Sequence, residues 1–230
     1  MHTITILTGA GISAESGLGT FRSKDGIWAK YDIGKVATPG AFRKNPRLVH
    51  EFYNLRRTAC MEATPNAAHH ALARLQASYA GKVYLITQNV DDLHERAGAT
   101  DVIHMHGELM QARCAACEQK WPAPRLMYLK DLCVFCGVAS TRPDVVWFGE
   151  ETYHREKISE AVRAADLFVV IGSSGQVYPA SDLANRARQY GAKTLALNLH
   201  PAEKEFDDEI RGPASEVVPH WVEAILARQT

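Results

Sequence analysis

Four cysteines carry the most specific chemistry in the chain. Cys114 and Cys117 form one Cys-x-x-Cys turn, Cys133 and Cys136 another, with fifteen residues between the two. Each turn sets two thiolates on one side, and two turns complete a tetrahedron around zinc. Such a site is coordinatively closed, so the metal is expected to be structural. Cys60 stands apart on a helix and is expected as a small apolar filler, not a nucleophile. A second constellation opens the chain. Residues 3–8 read as a buried strand that runs straight into Gly9-Ala10-Gly11-Ile12-Ser13-Ala14. This Gly-x-Gly-x-x-Ala turn at a helix start presents backbone N–H groups to a phosphate, and glycine lets a pyrophosphate approach closely. The signal is for a dinucleotide. A dehydrogenase would place its second strand within about thirty residues and end it in an acid. Here the next strand begins about seventy residues on and ends in Gln88-Asn89, which disfavours hydride transfer.

The elements that must position these groups follow from periodicity. Helices are expected over 46–62, 64–78, 156–165, 179–190 and 219–228. Strands are expected over 82–87, 102–107, 167–171, 194–199 and 216–218, with 145–149 extended. In the 46–62 helix, Leu48, Phe52, Leu55 and Ala59 form the expected buried stripe, with Val49, Tyr53, Arg56 and Cys60 beside it. Thr64-Pro65 is the expected start of the next helix, with Ala68, Ala71, Leu72 and Leu75 inward. Apolar strands alternating with helices indicate an α/β fold, a Rossmann-like doubly wound parallel sheet. Four strands end in polar or glycine turns, at 8–17, 87–94, 171–175 and 198–200. In such a sheet those ends converge on one cleft. The expected division gives 1–28, 79–111 and 141–230 to the nucleotide-binding domain. It gives 29–78 and 112–140 to a small domain, a helical insertion plus the four-cysteine zinc ribbon.

Composition narrows the class. Lys+Arg and Asp+Glu both number 26, so overall charge argues for neither nucleic acid nor anionic membrane as partner. No apolar run reaches the 18 or so residues of a membrane span. A strand from residue 3 leaves no room for a leader, and paired cysteines suit a reducing compartment. The expected location is the cytoplasm. Oligomeric state has no signature, and a monomer is the default expectation.

Taken together, the motifs resemble one family in order and spacing. They are Gly9-Ala10-Gly11-Ile12-Ser13, Ser16-Gly17, Phe21-Arg22, Thr87-Gln88-Asn89-Val90-Asp91-x-Leu93-His94, His106-Gly107, the four cysteines, Phe148-Gly149-Glu150, Gly172-Ser173-Ser174 and Asn198-Leu199. Across essentially the whole chain this is similar to the sirtuins, which consume NAD to remove acyl groups from lysine. It looks most like the bacterial and mitochondrial-type branch that removes acidic acyl groups. The resemblance implies His106 as general base, a role that neutral imidazole suits. It implies Asn89 at the ribose or a water, and Asp91 at the nicotinamide carboxamide. Gly9, Ala10, Gly11, Ser13, Glu15, Gln88, Val90, Gly172, Ser173, Ser174, Asn198, Leu199 and Ala214 would line the NAD site. Phe21, Arg22 and Trp28 would belong to a loop over the nicotinamide. His104, two residues from His106, is read as structural.

Tyr53 and Arg56 sharpen the implied substrate. Three apart on a helix, they share a face, and the resembled branch carries Tyr-x-x-Arg here. A guanidinium binds a carboxylate through two parallel hydrogen bonds and a phenol adds a third, which suits succinyl, malonyl or glutaryl groups. Arg57, its neighbour, reads as a solvated helix charge. Val146, Trp147, Phe148 and Gly149 would lie alongside the substrate peptide as an added strand. Three positions depart from the family: Gly19 for Pro, Ser173 for Thr and His200 for Glu, the last leaving an adenosine-ribose contact in doubt. The implied cofactors are NAD, consumed, and one structural zinc ion. The implied partners are acylated lysines of proteins. Mono-ADP-ribosyl transfer is the alternative chemistry, and a non-catalytic NAD-sensing or zinc-ribbon module the alternative class.

Overall fold

The computed structural model describes residues 2–20, 30–173, 180–202 and 205–228. β1 (Thr3–Thr8) runs into a single turn, α1 (Gly11–Ala14). A helical stretch follows: α2 (Ile33–Val36), α3 (Pro39–Lys44), α4 (Pro46–Glu62) and α5 (Ala67–Ser78). Next come β2 (Lys82–Thr87), α6 (Leu93–Arg96), β3 (Ile103–His104), β4 (Gly107–Cys114), β5 (Lys120–Pro122) and β6 (Thr141–Val145). The chain closes with α7 (Arg155–Ala164), β7 (Leu167–Ile171), α8 (Ala180–Gln189), β8 (Lys193–Asn198), β9 (Asp208–Arg211) and α9 (Ala214–Ala227).

The large sheet has the order β3-β2-β1-β7-β8-β9 and is parallel throughout. Alternation along β1 sends Ile4 and Ile6 into one apolar layer with Leu72, Leu75, Val218 and Val222. It sends Leu7 into the other layer, with Ile86, Phe168, Val162 and Leu183. Strand order reverses between β1 and β7, and the crevice at that reversal is where an open α/β sheet binds ligands. The small sheet, β5-β4-β6, is antiparallel. A third apolar cluster, including Val36, Val49, Phe52, Leu109, Val145 and Trp147, fastens α4 to it.

Several expectations are corrected. Leu55 and Ala59 are exposed, whereas Val49, Phe52, Tyr53, Asn54, Arg57 and Cys60 are buried, so the buried stripe of α4 lies one step around the helix. Arg57 is not a solvated charge. It is fully buried, and its guanidinium donates to the Leu109 carbonyl at 2.9 Å, Asn54 Oδ1 at 3.0 Å and Met127 Sδ at 3.3 Å. α5 starts at a capping box on Asn66, not at Thr64, and its apolar side packs on the large sheet. β4 and β6 belong to the small sheet, although 107–111 and 141–145 were expected in the larger domain. Residues 216–218 lie inside α9, and the last strand is β9, whose four residues are all exposed. Trp147 to Glu150 closes a turn, with Gly149 at φ 91°, instead of continuing the strand.

Candidate functional site

The carboxyl ends of β1, β2, β7 and β8 open into one cleft of about 1960 Å³, which the small sheet and α4 also line. Gly9, Ala10, Gly11, Ser13, Glu15, Gln88, Asn89, Val90, Asp91, His106, Gly172, Ser173, Asn198, Leu199 and Ala214 all line it. Tyr53, Arg56, Val146, Trp147, Phe148 and Gly149 line the same cleft. Phe21, Arg22, Trp28 and Ser174, and with them the expected loop over the nicotinamide, lie outside the described residues.

Local packing explains the glycines. A Cβ on Gly9 would meet the Gly172 carbonyl oxygen at 2.8 Å, and one on Gly11 would meet the Gly172 Cα at 2.7 Å. Gly172 itself sits at φ 61°. Three glycines therefore let the turns after β1 and β7 touch at the crevice. Side chains lace the other turns to them. Asn89 Nδ2 donates to the Gly9 carbonyl at 3.2 Å and to Ser13 Oγ at 3.1 Å. Ser13 Oγ donates to Asp91 at 3.0 Å, so this hydroxyl joins Asn89 to Asp91. Gln88 Nε2 donates to Ser173 Oγ at 2.9 Å, and the Ser173 N–H to Asn198 Oδ1 at 3.2 Å. Glu15 turns aside. It accepts from the backbone N–H and the hydroxyl of Ser215, fastening α1 to the first turn of α9.

His106 carries the acid–base capacity. Its Nδ1 donates to the Gln88 carbonyl at 2.9 Å. With that proton fixed, Nε2 holds the lone pair. Burial lowers its pKa, against the opposing effect of the Gln88 hydrogen bond, so the ring is a neutral base at pH 7. Burial raises the Asp91 pKa, while hydrogen bonds from Leu93 N–H and Ser13 hold it down.

In the same cleft, the Arg56 guanidinium lies 5.4 Å from the Tyr53 ring centroid and 5.7 Å from that of Phe52. Tyr53 Oη accepts from Trp147 Nε1 at 2.9 Å, a contact that uses a lone pair and not the phenol proton. Trp147 is held in turn by Glu150, whose carboxylate takes the Trp147 N–H at 2.8 Å and pairs in bidentate fashion with Arg142. The backbone N–H groups of Val146 and Phe148 are committed to the carbonyls of His106 and Ala37. Strand addition would use the remaining groups of this stretch. Cys60 is nearer than expected. It lines the cleft wall, yet burial pushes its thiol up to about 12, which keeps it inert.

The four cysteines meet as their spacing requires. Cys114 Sγ and Cys136 Sγ are 3.7 Å apart, as are Cys117 Sγ and Cys133 Sγ. A tetrahedron with metal–sulfur bonds of about 2.3 Å has edges of about 3.8 Å, so the residues fit zinc. The room at the crevice, the donors at the strand ends and the reversal of strand order fit a dinucleotide equally well.

Residues 9–179 match the Sir2 family. The chain belongs to the Sir2 family. An NAD-dependent protein deacylase of Caulobacter vibrioides is 53 % identical over 231 residues, covering 98 % of this chain and 97 % of the relative. Among solved structures, a Sir2 homolog–NAD complex superimposes with a TM-score of 0.91 at 39 % identity, covering 99 % of this chain and 91 % of that one. A Sir2 protein bound to a myristoylated histone peptide gives 0.76 at 32 % identity, over 99 % and 92 %. For a Sir2 protein the roles of Ser13 and Glu15 are the additions that the structure makes. Both were expected at the nucleotide, and each also ties elements together. Nothing in the periodicity of a short polar turn signals such a task.

Proposed function

We propose that this chain is an NAD-dependent protein-lysine deacylase that removes succinyl, malonyl and acetyl groups. The observation that carries the acyl preference is that Tyr53 and Arg56 line the same cleft as His106 and the 88–91 loop. NAD, the co-substrate, supplies an ADP-ribosyl group to accept the acyl, with nicotinamide as leaving group. His106 Nε2 takes a hydroxyl proton there. Asn89 and Asp91, fixed through Ser13, orient the nicotinamide end. Arg56 grips the acyl carboxylate against the faces of Phe52 and Tyr53, and the Tyr53 hydroxyl proton completes the contact. The four cysteines, none of which lines the cleft, would hold zinc away from this chemistry, where it would keep the small sheet folded.

Mass spectrometry of acyl-lysine peptides incubated with NAD tests this. Deacylated peptide with O-acyl-ADP-ribose supports it. ADP-ribosylated protein without deacylation would favour mono-ADP-ribosyl transfer instead. Arg56→Met should lower kcat/KM for succinyl-lysine by about 10–100-fold, the loss of roughly 1.5–3 kcal/mol of charge-assisted hydrogen bonding. Acetyl-lysine should change little. Equal losses on both would remove the carboxylate clamp.

A further inference from the structure

His104 and His106 lie two residues apart and grip successive carbonyls of one loop. His106 Nδ1 holds the Gln88 carbonyl at 2.9 Å and His104 Nδ1 holds the Asn89 carbonyl at 3.3 Å. The two rings differ at the other nitrogen. His106 Nε2 is left for the cleft. His104 Nε2 lies 2.7 Å from a Glu95 carboxylate oxygen. Both His104 nitrogens therefore face oxygens that can only accept, a carbonyl and a carboxylate. A neutral imidazole has one N–H and would set a lone pair against one of them. Only the imidazolium satisfies both.

We propose that His104 is a positioning residue, held as an imidazolium whose Nδ1–H pins the Asn89 carbonyl and whose Nε2–H is anchored on Glu95. The two peptides that flank the Asn89 Cα are then both held, because the Asn89 N–H donates to Thr87 Oγ1 at 3.0 Å while its carbonyl is pinned by His104. Its side chain is left to reach Gly9 and Ser13. Side chain and backbone together hold Asn89 and Asp91 at the crevice.

The surrounding charges agree. His104 is 5 % exposed. Burial alone would lower its pKa, but the hydrogen bond and charge of Glu95 on α6 outweigh it, with Glu108 on β4 adding to them, and the net shift is upward. Burial raises the pKa of Asp91, in the loop after β2, and the His104 charge opposes that rise alongside the Leu93 and Ser13 hydrogen bonds. Burial is the main cause that lowers the pKa of His94 on α6 and of His154 just before α7; the His104 charge adds to it, after His69 for the first and after Lys120 and Lys157 for the second. Two histidines on one short segment are thus driven apart: His106 to a neutral base, His104 to a fixed cation.

The inference rests on the deacylase reading only for its kinetic part. Histidine side chains labelled with 15N report protonation and tautomer in the resting protein, with His104→Gln and His106→Asn identifying the two rings. At pH 7.5 His104 should show two protonated nitrogens and His106 one, on Nδ1. In Glu95→Gln the His104 titration should move to lower pH. The alkaline limb of the kcat/KM profile should move down with it, and the acid limb set by His106 should stay. His104→Gln should lower kcat about 10–100-fold through misplacement of the loop, with KM for NAD changed far less. A neutral His104 at pH 7.5, or a titration indifferent to Glu95→Gln, would overturn the inference and leave the deacylase reading standing. Absence of turnover in the unaltered protein would overturn that reading and leave the spectrum to be judged on its own.

Discussion

His106 presents to the cleft a lone pair that its neighbour defines. The Gln88 carbonyl fixes Nδ1–H, and burial keeps the ring neutral. His106→Ala should therefore lower turnover by 10²–10⁴-fold or more, the range of a positioned general base. NAD binding, measured by calorimetry, should persist, because the turns proposed to cradle the nucleotide are laced by Asn89, Gln88 and Ser173 without His106. Near-normal turnover would exclude His106 from proton transfer. Its candidacy was legible because a His-Gly pair at a strand end followed Gln-Asn-Val-Asp at the previous one. The four cysteines were legible from spacing alone, since the ligand geometry of zinc is itself a spacing rule. Arg57 was not. Its type and its place beside Arg56 match any solvated helix charge. Its burial depends on the Leu109 carbonyl and Met127, 52 and 70 residues away.

At the scale of elements, α4 is a two-faced device. One side chain, Arg56, lines the cleft, and the next, Arg57, crosses the interior to β4 and to residue 127. Burial lowers the Arg57 pKa only to about 10, so it stays charged at neutral pH, and the three atoms that accept its hydrogen bonds are all neutral. Arg57→Ala should cost about 2–5 kcal/mol. It strands the Leu109 carbonyl and opens a cavity at the joint of α4 with the small sheet. Thermal unfolding measures this, and a loss under 1 kcal/mol would mean that the three contacts contribute little. The elements themselves were legible wherever burial was one-sided or complete: β1, α4, β2 and β7 stand at their expected bounds. The C-terminal end was misread for physical reasons. Asp-Glu-Ile-Arg of β9 is an exposed edge with no apolar alternation to find. Glu-Val-Val of α9 has strand-like branching, but Val218 and Trp221 are drawn onto the large sheet as a helix face.

Across the whole molecule, acid stability follows from two histidines that the fold buries without charge. The rings of His69 and His94 lie 5.0 Å apart between centroids and are tilted by 58°, with His94 Nε2 against Thr8 Oγ1 at 3.0 Å and His69 Nε2 3.5 Å from Ser13 Oγ. Burial lowers the His69 pKa to about 4 and carries that of His94 well below its ordinary value. A depressed folded pKa means that the unfolded chain binds the proton more readily. The contribution is complete above about pH 6.5 and is lost as pH falls toward 4. For His69 alone it is on the order of 3 kcal/mol. His104 has the opposite sign: its raised pKa stabilises below about pH 6.5, and that contribution is lost as pH rises through the folded value. Between pH 6.5 and 4.5 the melting temperature should therefore fall, by several degrees from His69 alone. Acid also protonates zinc-bound thiolates, so the decisive quantity is the difference between the unaltered protein and His69→Gln over the same pH series with zinc in excess. The variant should start lower at pH 7.5 and lose less on acidification, so that the two curves converge. Parallel curves would show that His69 takes up its proton equally in both states, and the buried pair would have no part in the acid limit.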